Sequence, residues 1–134
     1  MIDQLMKDIQ GHLCLLELAL KSSELICTYA QKEDLDGIVD ETDNRQRIVN
    51  IITQAQRKIE DQINLLDASD VNQETLLILK SWFNDLNIWS EAMLTLDRQT
   101  VELLAQQKEN TGKEIALVFK NKEVFKGYNH ELKK

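Results

Sequence analysis

The sequence predicts an all-α fold, an antiparallel three- to four-helix bundle built on a long helical hairpin with a shorter C-terminal helix. Proline is absent from the 134 residues and glycine occurs only four times. A β-sandwich or barrel needs many more turn-forming residues than that. Apolar residues make up 43% of the chain, enough for one core, so we expect a single domain over residues 1–134.

The first helix is predicted over residues 2–31, where apolar residues alternate by three and four positions. Its seam comprises Ile2, Met6, Ile9, Leu13, Leu16, Leu20, Ser23, Cys27 and Ala30. Residues 32–34 form a polar turn, and Asp34 can cap a second helix over residues 34–67. Cys14 and Cys27 both fall on the first helix, and we expect them to be reduced core thiols.

The segment 67–70 breaks the pattern, and Ser69 and Asp70 are both good N-caps for a third helix over residues 71–110. This helix carries a second strict seam. It comprises Leu79, Trp82, Leu86, Trp89, Met93, Leu96, Thr100 and Leu103, with Leu76, Phe83 and Leu104 widening the same face. Ile88, Leu94 and Val101 fall outside it. We expect Trp82, Leu86 and Trp89 to be largely buried, because large apolar residues in a helical seam pack in the core.

Two interpretations are open near Asn110. Thr111 and Glu114 have the spacing of a capping box, which favours a break and a short fourth helix over residues 112–127. The alternative is one continuous helix from Val71 to Tyr128, roughly 87 Å long and about twice the length of the first helix. Because the end of such a helix would project without an intramolecular partner, we favour the break.

Charge is distributed unevenly along the chain. The net charge is −7, which does not favour nucleic-acid binding. From Lys108 onward the net charge is +3, whereas the preceding part carries −10. The basic segment can pack on the acidic body or dock on an acidic partner. Residues 1–10 lack the apolar core of a signal peptide and no apolar run could span a bilayer, so we expect a cytoplasmic protein.

No set of catalytic or metal-ligating residues is visible, so we expect neither an enzyme nor a metal or cofactor. His12 and His130 lack the Glu three residues earlier that carboxylate-bridged metal bundles use. The two cysteines do not have zinc-site spacing, and the four glycines are too isolated for a phosphate-binding loop. A phosphotransfer histidine would be followed closely by Lys and Gly, and Leu-Cys-Leu-Leu follows His12.

A second apolar row on the first helix is the candidate client-binding surface, on roughly the opposite side from the seam. It comprises Leu15, Leu18, Leu25 and Tyr29. Intramolecular cover, a partner helix and self-association as a homodimer are the explanations that remain open. A client helix suits the row because its own apolar residues can lie along it. The candidate C-terminal regulatory or docking residues are Phe119, Phe125, Lys126 and Tyr128.

Three stretches carry a resemblance to a known family. They are the leucine-rich opening helix at residues 13–29, the acidic junction and Arg45-Gln46-Arg47 register at residues 34–49, and the final stretch at residues 101–128, which ends in basic residues and a tyrosine. This organisation resembles the flagellar type III export chaperones of the FliT and FlgN type, which hold filament-cap or hook-associated subunits.

The resemblance implies a non-enzymatic cytoplasmic chaperone. Such a protein binds an amphipathic helical segment of a flagellar export substrate, prevents premature assembly and releases the substrate at the export machinery. The last helix of this family type can fold back over the binding surface, in agreement with the basic C-terminal stretch. The alternative is a generic helical adaptor, or a dimeric coiled-coil module, unrelated to secretion.

Overall fold

The computed structural model describes residues 2–119, and the side chains of residues 2–113. It contains three α-helices, α1 at Ile2–Gln31, α2 at Leu35–Asn64 and α3 at Gln73–Phe119, with a 3-10 turn at Ala68–Asp70. α1 packs against both α2 and α3. The prediction of an all-α helical bundle is therefore confirmed, and no β-strand occurs in residues 2–119.

The turn between α1 and α2 is closed by backbone hydrogen bonds. Glu33 adopts a left-handed conformation with φ of 58°. Its N–H donates to the Ala30 carbonyl at 3.2 Å, and the next N–H, of Asp34, reaches the Tyr29 carbonyl at 2.9 Å. This pair of bonds is a Schellman motif, which satisfies the last carbonyls of α1 and reverses the chain. Asp34 then caps α2 as predicted, because its carboxylate accepts the Gly37 N–H at 3.0 Å.

The cap of α3 differs from the prediction. Ser69 and Asp70 do not cap the helix, because both belong to the 3-10 turn, where the Asp70 N–H donates to the Asp67 carbonyl at 2.9 Å. Asn72 takes the role, since its side-chain oxygen accepts the Thr75 N–H at 2.8 Å. The turn thus delays the start of the helix to Gln73.

α3 is continuous through the position where we favoured a break, so that prediction is wrong. Thr111 and Gly112 lie inside the helix, and the separate helix predicted over residues 112–127 does not begin there. The Lys113 ammonium lies 3.3 Å from the Glu109 carboxylate, an i, i+4 pair that spans the expected break. A glycine inside a helix costs only about 1 kcal/mol, so capping-box spacing alone does not interrupt it.

α3 runs parallel to α1 and is longer than it. Near the start of α3 the Trp82 indole donates to His12, and further along the Gln107 amide donates to the Ala30 carbonyl at 2.6 Å. Thr111 still lines a cleft with the α1–α2 turn. The eight residues after Thr111 extend α3 by roughly 12 Å beyond that point.

The core lies where side chains of all three helices meet along α1. It consists of two clusters, one of Leu5, Ile9, Ile59, Leu79 and Trp82 and the other of Leu16, Ala19, Ile52 and Met93. Trp82 is buried as predicted, whereas Leu86 and Trp89 are half-buried at the edges of these clusters. The Trp89 indole donates to the Leu16 carbonyl at 2.8 Å, which explains why its ring stays at the α1–α3 boundary.

The two cysteines have different surroundings. Cys27 is buried as predicted, but Cys14 is exposed, so its assignment to the core is wrong. Cys14 lies midway between the buried residues His12 and Leu16. Positions two apart on a helix face different sides, so the two buried neighbours turn Cys14 toward solvent.

Candidate functional site

The predicted client row of α1 divides into two parts. Leu15 and Tyr29 are half-buried, and each is seven residues from Ser22 in one row along the helix. The Ser22 hydroxyl donates to the Glu41 carboxylate of α2 at 3.0 Å. The Tyr29 ring lies against Gly37 of α2, where an added Cβ would come within 2.8 Å of the ring. This row therefore belongs to the α1–α2 interface.

Leu18 and Leu25 are the exposed part of the client row, with 51% and 37% of their surface accessible. Each is three residues from a member of the interface row, Leu18 from Leu15 and Leu25 from Ser22. On a helix, residues three apart are surface neighbours. The two leucines thus lie beside the α1–α2 interface, on its solvent side.

Ile51 of α2 extends this apolar surface. It is 50% exposed and lies seven residues before Lys58, on the same side of α2. The Lys58 ammonium lies 3.7 Å from the Asp8 carboxylate of α1, and the Gln62 amide donates to the same carboxylate at 2.6 Å. In this antiparallel register Ile51 is level with α1 residues 15–19. We refer to Leu18, Leu25 and Ile51 as the leucine rim.

A second exposed apolar row, on α3, was not predicted as a unit. It consists of Leu76, Phe83, Leu94 and Val101, which are between 43% and 64% exposed. We call this row the α3 stripe. Leu76 and Phe83 were expected to widen the core face, and that expectation is wrong. A signal was present in the sequence, because Leu76 and Leu94 are 18 residues apart, and so are Phe83 and Val101. Eighteen residues make five helical turns and return to the same side.

Basic side chains adjoin the α3 stripe. Lys80 and Arg98 each follow one stripe residue by four positions and precede the next by three, and Lys108 follows Val101 by seven. None of these three cations forms an ion pair with an acidic side chain among residues 2–113. Glu91 lies in the row of Lys80 and Arg98, between the two. Glu102 and Glu109 follow Glu91 by 11 and 18 residues and lie in the same row, so this edge carries three carboxylates beside two cations, and Lys108 lies on the other side of the stripe.

α2 and α3 are held together differently from the other helix pairs, chiefly by side chains that reach across. The Arg45 guanidinium of α2 donates to both carboxylate oxygens of Asp97 on α3, at 2.6 and 2.8 Å. This bidentate pair links the two helices outside the core clusters that they share. Further toward the C-terminal end of α3, a cleft of about 400 Å³ opens between α3 and the α1–α2 turn. Its lining residues are Glu33, Leu35, Leu104, Gln107, Lys108 and Thr111.

His12 has the surroundings of a core residue and not of a catalytic one. It is fully buried, and its Nδ1 accepts the Trp82 indole N–H at 3.1 Å. The neutral imidazole therefore carries its proton on Nε2, which has no hydrogen-bond partner among the described residues. Burial lowers the pKa of His12, and the negative charge of Glu60 partly opposes that shift.

Two further features, a metal-binding cluster and a membrane-spanning helix, are absent from the described part of the chain. In residues 2–119 no group of three His, Cys, Asp or Glu side chains is placed to hold a metal ion. The same residues include no helix with the length and apolarity needed to cross a membrane. Phe125, Lys126 and Tyr128 lie outside the described residues, and Phe119 is the last residue of α3.

Comparisons with known proteins give no relative to guide the assignment. No protein-family model matches the chain, and neither does any curated protein or solved structure. The leucine rim and the α3 stripe are therefore the features on which a functional assignment depends.

Proposed function

We propose that the protein is a cytoplasmic, non-enzymatic export chaperone of the flagellar type. It binds an amphipathic helical segment of a filament-cap or hook-associated protein and prevents premature assembly. The observation that carries this proposal is the leucine rim, where Leu18 and Leu25 lie exposed beside the α1–α2 interface. An amphipathic helix in that position would bury its apolar residues against the rim.

The energetics favour a weak and reversible complex. Full burial of a leucine or isoleucine is worth about 1.5–3 kcal/mol, and the rim residues are already half-covered in the free protein. Their contribution is offset by the loss of freedom on association. Leu15 and Tyr29, half-buried beside the rim, offer further contact area. Binding in the micromolar range suits a chaperone that must release its client.

The C-terminal stretch supplies a second part of the proposal. Phe119, Phe125, Lys126 and Tyr128 are proposed to dock on the export machinery, with competition against the client as the alternative for Phe125, Lys126 and Tyr128. A competitor that folds back would begin after Phe119, because residues 111–119 belong to α3. The competing segment is therefore confined to residues 120–134. If that segment competes, its deletion tightens client binding.

The test uses Leu18→Asp with Gln10→Asp as the matched control, since both positions are exposed on α1. Binding of the filament-cap and hook-associated proteins of the same genome is measured by titration calorimetry. We expect Leu18→Asp to weaken binding at least tenfold and to leave the thermal midpoint unchanged, and Gln10→Asp to bind normally. Failure of these proteins to bind the wild-type chain would contradict the proposal and favour an adaptor unrelated to secretion.

A further inference from the structure

We draw no further inference here: the strongest candidate, the α3 stripe of exposed apolar side chains along one side of α3, carries none because its edge holds both cations and carboxylates and nothing in residues 2–119 shows what covers it.

Discussion

Acid should destabilise this bundle through His12, and the effect can be separated from general acid unfolding. The imidazole is buried between the two core clusters, and its Nδ1 accepts a hydrogen bond from Trp82 at 3.1 Å. Protonation would place an N–H on Nδ1, directed at the indole N–H, and would put a charge in the core. Both effects disfavour the imidazolium in the folded state.

The sign and the size of the effect follow from linkage. The pKa of His12 is lowered in the folded protein by burial, against a partial opposing effect of Glu60. The unfolded chain therefore binds more protons below an unfolded pKa of about 6.5, and stability is lost as the pH falls below that value. One histidine can change the free energy of unfolding by at most about 1.4 kcal/mol per pH unit. Because the loss begins near pH 6.5, the free energy of unfolding falls by up to about 2 kcal/mol between pH 7.5 and pH 5.

The measurement is urea unfolding at pH 7.5, 6.5, 5.5 and 5.0, with the wild-type chain and His12→Asn compared. Asparagine places an acceptor oxygen near the position of Nδ1 and does not titrate, so it keeps the bond to Trp82 and removes the proton uptake. We expect His12→Asn to be less stable at pH 7.5 and to have the flatter pH profile. Glu60→Gln should steepen the wild-type profile, because it removes the charge that raises the pKa.

One result would refute this reasoning. If the wild-type chain and His12→Asn lost the same free energy of unfolding between pH 7.5 and pH 5, the acid sensitivity would arise elsewhere. The pKa of Asp8 is also lowered, chiefly by the hydrogen bond from Gln62. Its contribution is present above its unfolded pKa of about 3.9 and is lost as the pH falls through its folded pKa. The loss of the Asp8 contribution therefore occurs below the pH range of this experiment.

Three further changes and one control substitution test the packing and the turn, each by urea unfolding at pH 7.5. Leu5→Ala should cost about 2–5 kcal/mol because Leu5 is fully buried, whereas exposed Leu77→Ala should change stability by less than about 0.5 kcal/mol. Glu33→Gly should stabilise the protein by roughly 1 kcal/mol, since glycine adopts the left-handed conformation without strain. Gly37→Ala should destabilise it despite alanine's higher helix propensity, because the new methyl group would overlap the Tyr29 ring.

Much of the fold could be predicted from the sequence because the periodic seams carry strong information. The seam of α1 predicted a helix over residues 2–31, and Asp34 was correctly identified as the cap of α2. The break near Asn110 failed for a physical reason. A capping box lowers the free energy of a helix start, but it does not prevent Thr111 and Gly112 from continuing a helix that already exists.

The candidate surfaces were harder to predict, because exposure depends on the position of a neighbouring helix and not on the helix itself. Leu15 and Leu18 are three residues apart and equally apolar, yet Leu15 faces the α1–α2 interface and Leu18 faces solvent. Their positions around α1 differ by about 60°. Periodicity defines the centre of an apolar face well, but the packing of α2 determines where its edge lies.

The exposure of apolar residues on α3 also depends on the position of a neighbouring helix. Here two residues that were expected to be buried are exposed. Leu76 and Phe83 were assigned to the core because they adjoin the seam of Leu79, Leu86 and Trp82, but α2 does not come close enough to cover them. Ile59 of α2 meets α3 at Leu79 and Trp82, which are buried, whereas Leu76 and Phe83 lie outside this contact. An apolar residue beside a seam is therefore ambiguous until the distance to the next helix is known. In this protein, that distance decides whether such a residue is buried in the core or exposed on the surface.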